Sequence, residues 1–442
     1  MYRMPKTFKI ATLGCKVNQF ESEAIARRLQ DSDWAMAGED EAADICIINT
    51  CTVTGKASMQ SRQTIRQAVR ANPCAKIIVT GCYAESEPDV LNSIKGVSEV
   101  VSQGRKFSLP DRILSGALEQ ACEIQADNDK TGFEHPPALG MGSRSRPFLK
   151  IQDGCDAYCS YCIVPYTRGS SRSMPLEDVF SCLSEIHRSG YAETVLTGIH
   201  LGRWGQDLVP RIDLLALLQE IRSRKSVDRV RLSSIEPAEL SDELIRHVRE
   251  ARTGAGRICP HFHIPLQSGD DGVLERMRRP YTRRIFAERI TRIHRALPDA
   301  AIGTDVLVGF PGESDAAFQQ TFDLVAELPI TYLHVFPFSA RRKTPAYNFK
   351  NKVPNSIIKD RCKELRLLGK HKKSVFYNQF IDKTLEVLIE GRSDDPDCGR
   401  KGMSANYIPV VLGRGALPPN KVATVQVECV TEDLTVIGNA VI

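Results

Sequence analysis

Along the first hundred residues, short apolar and β-branched runs alternate with segments whose apolar positions recur at helical spacing. Phe8 to Leu13, Ile45 to Asn49, Ile77 to Thr80 and Val97 to Val101 read as strands, with helices at Glu21 to Gln30 and Ser58 to Arg70. That order predicts a small open sheet of parallel strands. From Thr131 to Pro147 the periodicity gives way to Gly, Pro and Ser, as in a linker. A second βα series then sets strands at Phe148 to Ile151, Thr194 to Thr197, Arg229 to Ser233, Phe262 to Ile264, Ile302 to Val308 and Tyr332 to Phe336. Such a series predicts a full or partial parallel barrel with its chemistry where the strands end. Beyond Thr384 the runs Leu385 to Ile389, Val422 to Val427 and Leu434 to Ile437 are short and divided by turn residues, which predicts a small all-β barrel. The expected fold class is α/β. It comprises an open parallel α/β domain over 1–130, a linker over 131–146, a partial (β/α) barrel with a basic terminal segment over 147–375, and an all-β barrel over 376–442.

Composition narrows the class. The 442 residues are 42% hydrophobic and 26% charged, ordinary for a soluble protein. No apolar run approaches the roughly 18 residues of a membrane span, and Met1 to Ile10 lacks the apolar stretch of a signal peptide. A cytoplasmic location is expected. Fourteen cysteines are then poorly explained by disulfides, because the cytosol keeps thiols reduced, so metal or catalytic roles come forward. The net charge of +5 is concentrated: from Arg341 to Lys373 there are twelve Lys or Arg against two acids, Asp360 and Glu364. That block suits a polyanion such as RNA, or equally a solvated linker helix.

The sharpest pattern is Gly154-Cys155-Asp156-Ala157-Tyr158-Cys159-Ser160-Tyr161-Cys162, a Cys-x3-Cys-x2-Cys loop directly after a strand. Thiolates suit iron–sulfur clusters, and three of them on a four-iron cluster leave one iron without a protein ligand. A zinc site would more often add a fourth ligand and use Cys-x2-Cys pairs. These residues resemble the radical S-adenosylmethionine (SAM) superfamily, which implies that the open iron binds SAM and that an electron cleaves it to a 5′-deoxyadenosyl radical. Three later stretches resemble that superfamily's SAM-contacting strand ends: Thr197-Gly198-Ile199-His200, Ser234-Ile235-Glu236-Pro237 and Gly303 to Glu313. The resemblance implies Thr197, Gly198, Ser234, Glu236, Gln267, Val308 and Gly309 as cofactor contacts. The first stretch departs from the usual Gly-Gly-Glu at His200.

Cys15, Cys51 and Cys82 each follow a predicted strand. Ligands of open α/β sheets gather beyond the carboxyl ends of the strands, so these three can converge although far apart in sequence. Cys46, Cys74, Cys122, Cys182, Cys259, Cys362, Cys398 and Cys429 show no such pattern, and most are expected to be buried apolar residues. Thr12 to Gln19, Asn49 to Thr54 and Gly81 to Ala84 resemble the amino-terminal domain of the radical SAM methylthiotransferases. The likeness continues through Pro165-Tyr166-Thr167-Arg168-Gly169, Ile264 to Gly269 and a terminal barrel like the family's TRAM domain. Gly14-Cys15-Lys16-Val17-Asn18 and Thr50-Cys51-Thr52-Val53-Thr54 look most like the branch acting on N6-threonylcarbamoyladenosine of tRNA.

The resemblance implies two [4Fe-4S] clusters, on Cys155, Cys159 and Cys162 and on Cys15, Cys51 and Cys82, with SAM supplying both radical and methyl group. It also implies a reductase such as flavodoxin or ferredoxin, a sulfur donor, and no membrane. Carbon 2 of adenine carries an unactivated C–H bond that side-chain acids and bases do not readily break. The target would be the adenosine immediately 3′ of the anticodon, in a loop whose bases are unstacked at low cost. Arg278, Arg279, Arg341, Arg342 and Lys343 are candidate RNA contacts. The terminal barrel, with six Lys or Arg against nine acids from Phe376 onward, is expected to read shape rather than to supply charge. Competing readings keep the chemistry but change the acceptor, to isopentenyladenosine tRNA or a ribosomal-protein aspartate. A non-enzymatic reading is an iron-sensing RNA-binding protein.

Overall fold

A computed structural model describes residues 6–38, 40–119, 132–136, 139, 142, 144–391, 400–413 and 418–441. Cys122, Cys398 and much of the expected linker lie outside them. The chain forms two compact units. The first is assembled from three stretches, 1–142, 150–174 and 339–347; the second takes 143–149, 175–338 and 348–442.

In the first unit a five-stranded sheet has the order β2-β1-β3-β4-β5, from β1 (Thr7–Thr12), β2 (Ala35–Met36), β3 (Ile45–Thr50), β4 (Lys76–Gly81) and β5 (Glu99–Val100). All neighbours are parallel. β3 is buried at every position, as expected of the central strand of a sheet covered on both faces. Helix α1 (Lys16–Gln30) follows β1, and α2 (Gly55–Ala71) follows β3, opened by Thr54, whose hydroxyl accepts from the Ala57 N–H at 3.1 Å. α3 (Cys82–Ser86) begins directly at the end of β4. Register pairs Thr12 with Asn49 and Thr50 with Gly81, so the three strands end level.

In the second unit the strands Arg257–Ile258, Arg229–Leu232 and Glu193–Thr197 neighbour one another in that order, followed by Phe148–Lys150, whose last residue belongs to the first unit, and His261–His263, Ala301–Val308 and Tyr332–Pro337 form a parallel set. A bridge between Ser234 and His263 joins the two sets. The result is a curved run of parallel strands with intervening helices, the expected partial barrel. The helix Asn355–Asn378 leads to a closed five-stranded barrel of Thr384–Ile389, Lys401–Ser404, Pro409–Leu412, Val436–Ala440 and Val422–Val430. Its core alternates inward along the strands as Val387, Ile389, Val410, Leu412, Val425 and Val427, and Phe376, Tyr377 and Phe380 close one end. The strands Lys401–Ser404 and Pro409–Leu412 have no counterpart among the predicted runs.

Candidate metal centres and the buried charge beside them

Both cysteine triads fall in the first unit. The loop bearing Cys155, Cys159 and Cys162 is pinned by backbone bonds from Cys155 N to Gly169 O and from Cys162 N to Cys159 O, each 3.0 Å. Gly154 takes φ 71°, and any Cβ there would run into the Ser170 carbonyl. The Ala157 N–H points at Cys155 Sγ, 3.4 Å away. Cys159 is buried, Cys155 and Cys162 are partly exposed, and none is in a disulfide. Three thiols outside any disulfide, within one tight loop, fit a cluster held at three corners.

The level strand ends explain the second triad. Cys15 sits at the amino end of α1, Cys51 directly after β3, and Cys82 at the first position of α3. A Cβ on Gly14, which has φ 101°, would lie 2.9 Å from Cys51 Sγ, so this glycine is what lets the Cys15 turn approach Cys51. Asn18 donates to Leu13 O at 2.8 Å and Thr50 O at 3.1 Å, tying the two cysteine-bearing turns together. Burial pushes the Cys51 thiol up to about 11, and the neighbouring charges of Cys82 and Cys15 push the same way. Burial likewise raises Cys15, against the opposing charge of Arg168. Protein thiols held this high are protonated when bare, and iron would take them as thiolates.

Arg168, within the Pro165–Gly169 stretch, is the centre of a buried charge network that sequence reasoning missed. Its guanidinium donates to Glu21 Oε1 at 2.9 Å, Asp153 Oδ1 at 2.9 Å and Asn18 Oδ1 at 2.6 Å. Lys106 meets Glu21 at 2.5 Å, and Lys150 meets Asp153 at 3.0 Å and Glu21 at 3.3 Å. Three cations therefore face two carboxylates, with every side chain essentially removed from solvent. The carboxyl of Asp153 is held at about 2: burial alone would raise it, but Arg168 and Lys150 outweigh that. Of this network Arg168 opposes the rise of both Cys15 and Cys51, while Glu21 adds to that of Cys15. The missed signal was Asn18, Glu21 and Ser22 on the face of α1 that also buries Val17, Phe20, Ala24 and Ile25. Polar residues at core spacing need partners.

The SAM-contact candidates all lie in the second unit, where the parallel strands end. Thr197 is the buried last residue of its strand, followed by Gly198; Ser234 is exposed; Val308 is buried. Gln267 has φ 63° and is held by Asp305 O, and the Gly309 N–H donates to the Glu313 carboxylate at 3.2 Å. Glu236 is ion-paired with Arg279. His200 pairs with Glu239 at 2.7 Å, consistent with its departure from the superfamily pattern.

The RNA candidates divide. Arg278, Arg342 and Lys343 are exposed. Arg341 is not: it is 7% exposed and donates to Thr52 at 2.5 Å and Ser58 at 2.9 Å, besides meeting Glu87 at 3.3 Å. Arg279 is likewise turned inward, with its Nε on the Tyr281 hydroxyl at 3.0 Å. Both are corrections, and the cause is the same: a basic run does not reveal which cations neutralise internal acids. Cys74 and Cys429 are exposed rather than buried, whereas Cys46, Cys259 and Cys362 are buried as expected.

Residues 7–102 match the family described as Uncharacterized protein family UPF0004, and residues 149–325 match the Radical SAM superfamily. The chain is similar to the threonylcarbamoyladenosine tRNA methylthiotransferase MtaB of Bacillus subtilis, 36% identical across 92% of this chain and 90% of that one. It is 37% identical to the protein of the same name from Aquifex aeolicus, across 86% and 91%. It is also 30% identical to the tRNA-2-methylthio-N(6)-dimethylallyladenosine synthase of Clostridium tetani, across 88% and 86%. Among solved structures, the radical SAM methyltransferase TsrM of Kitasatospora setae shares the fold with a TM-score of 0.53 at 15% identity, over 78% of this chain and 77% of that one.

Proposed function

Because this chain belongs to the radical SAM methylthiotransferase family, we propose that it methylthiolates carbon 2 of N6-threonylcarbamoyladenosine next to the anticodon of tRNA. The product is 2-methylthio-N6-threonylcarbamoyladenosine. The observation that carries this reading is the pair of cysteine triads, none in a disulfide, within one compact unit, in a chain whose relatives of that name match it nearly end to end. Its cofactors are SAM and two [4Fe-4S] clusters, which when bound supply the electron that splits SAM and the sulfur that is transferred.

The residues of the chain do the holding and the tuning. Cys155, Cys159 and Cys162 take the cluster that serves SAM, and Cys15, Cys51 and Cys82 take the other. Arg168 offsets the negative charge that three thiolates concentrate at the second site. Thr197, Gly198, Ser234, Glu236, Gln267, Val308 and Gly309 hold SAM, with Glu236 oriented by Arg279. Residues 1–130 carry the sulfur chemistry, 147–375 the radical chemistry, and 376–442 read tRNA shape. The RNA grip falls to Arg278, Arg342 and Lys343 and to Lys359, Lys363, Arg366 and Lys370. These last four recur at helical spacing along one exposed stripe of Asn355–Asn378. The enzyme works in the cytoplasm with a flavodoxin- or ferredoxin-like reductase and a separate sulfur donor. Among the described residues no helix is long and apolar enough to cross a membrane.

Nucleoside mass analysis of tRNA from cells with and without the gene tests the reading. Loss of 2-methylthio-N6-threonylcarbamoyladenosine, with its unmethylthiolated precursor accumulating, is expected. Loss of the 2-methylthio-isopentenyl nucleoside instead would assign the chain to the other tRNA branch, and an unchanged profile would remove tRNA as the acceptor.

A further inference from the structure

In the second unit, away from all six cluster thiols in sequence, two imidazoles and a carboxylate converge. The strands His261–His263, Ala301–Val308 and Tyr332–Pro337 are adjacent and parallel; register sets Asp305 opposite His334, and His263 opposite Gly303. One side of the Tyr332–Pro337 strand is turned to the helix Asn355–Asn378, where Leu333 packs against Gly369. Alternation therefore directs Tyr332 and His334 to the opposite side, into the barrel. There His263 Nε2 lies 2.9 Å from Asp305 Oδ1, and His334 Nδ1 lies 3.2 Å from the same oxygen. One donor atom from each of the three residues falls within 4.8 Å of the others.

We propose that His263, Asp305 and His334 form a mononuclear site for a borderline divalent transition-metal ion, with Zn2+ as the representative, open to a further ligand. Two imidazole nitrogens and one carboxylate oxygen suit zinc or its first-row neighbours, whereas Mg2+ and Ca2+ favour all-oxygen shells. The two spacings to Asp305, 2.9 and 3.2 Å, are near the roughly 3.3 Å that separates neighbouring ligands about 2 Å from one tetrahedral ion. Neighbouring groups also orient the set: Tyr332 Oη lies 3.2 Å from His263 Nδ1 and 2.7 Å from His261 Nε2. With the His263 Nδ1–H donating to the tyrosine oxygen and the tyrosine hydroxyl donating to His261, the His263 Nε2 lone pair faces Asp305. A cation between them then satisfies both acceptors. Gly303 belongs to the same arrangement, since a Cβ there would collide with the Tyr332 ring.

Exposure rises outward, from 10% for the His263 side chain through 23% for Asp305 to 53% for His334, so the ion retains an open coordination position on the His334 side. Binding moves protons but transfers no electrons: each imidazole presents a lone pair, and any ring proton on the ligating nitrogen passes to its other nitrogen or to solvent.

The test uses the full chain, reconstituted anaerobically with iron and sulfide so that the thiols are occupied, then equilibrated with Zn2+ and freed of loose metal. Metal analysis is expected to give one zinc per chain beyond the iron. Asp305→Asn and His334→Gln should each weaken zinc binding at least tenfold with iron content unchanged; His334, half in solvent, is the substitution that leaves folding intact. Zinc X-ray absorption should show nitrogen and oxygen neighbours. No zinc in the wild-type chain, zinc retained by both variants, or sulfur in the zinc shell would each overturn the proposal, the last two by locating the metal at cysteines.

Discussion

In the first unit Arg168 stands between two carboxylates with Lys106 and Lys150 alongside; in the second, Glu193 stands between two arginines, Arg229 and Arg231. Both groups are sealed from water, yet they are built for different ends. Glu193 contacts Arg229 at 2.5 Å and Arg231 at 2.8 Å, and the arginines' remaining N–H groups go to backbone carbonyls of the terminal barrel. Arg231 donates to Ser404 O at 2.9 Å and Ala405 O at 3.0 Å, and Arg229 reaches Glu386 O and Met403 O. That arrangement is a brace: one acid permits two arginines to be buried, and they hold the small barrel against the strands. In the first unit the central Arg168 also acts on Cys15 and Cys51, holding down thiols that burial raises. Similar ingredients yield structure in one place and an electrostatic setting for thiols in the other.

Removing the acid from the brace should have the largest effect. Glu193→Gln leaves two buried arginines without a counter-charge, so unfolding free energy should fall by about 3–5 kcal/mol, read as a lower denaturant midpoint. If the midpoint stays in place, the brace reading is wrong. Arg168→Met removes one of three cations facing two acids, so it should destabilise less. Losing a partner that supports metal ligands should nevertheless lower iron retention or turnover by about 10–100-fold, and Arg168→Lys should recover part of it. Equal stability losses in Glu193→Gln and Arg168→Met, with iron content unaffected, would erase the distinction drawn between the two networks.

Acid provides the mildest probe. Glu193 is held at about 2, with burial opposed by Arg229 and Arg231, and Asp153 is at about 2 as well. A carboxylate whose folded value is depressed contributes stability that is fully present above its unfolded value, about 4.3 for Glu. That contribution is lost as pH falls toward the folded value. Stability should therefore be nearly flat in this respect from pH 7 to about 5, and decline from about 4.5 toward 2. A steep loss between pH 7 and 5 would point to other groups, the histidines first among them.

Much of this architecture was legible in the chain. The alternation of strand and helix located the parallel strands of both units, because buried strands need runs such as Ile45 to Asn49. The placement of Cys15, Cys51 and Cys82 at level strand ends was legible for a topological reason: parallel strands point the same way. The network around Arg168 was not, because apolar periodicity treats Glu21 as a surface residue unless its partners are known, and those partners lie 85 to 147 positions away. Arg341 failed in the opposite direction. It was counted with a basic run, but Thr52, Ser58 and Glu87 draw it inside. Strand Lys401–Ser404 was overlooked because Lys-Gly-Met-Ser carries no β-branched residue; its place is secured by pairing on both sides, with Thr384–Ile389 and Pro409–Leu412.

The threading of the first unit sets an order of events during synthesis. All six thiols belong to a body that takes its final stretch from residues 339–347, where Arg341 locks onto Thr52 and Ser58. A ribosome that has released only the amino-terminal sheet has not yet delivered Cys155, Cys159 and Cys162, nor the arginine that closes the turn after Cys51. On the proposed function, iron insertion must then either wait until residues 339–347 have emerged or proceed on a body still lacking its last strap.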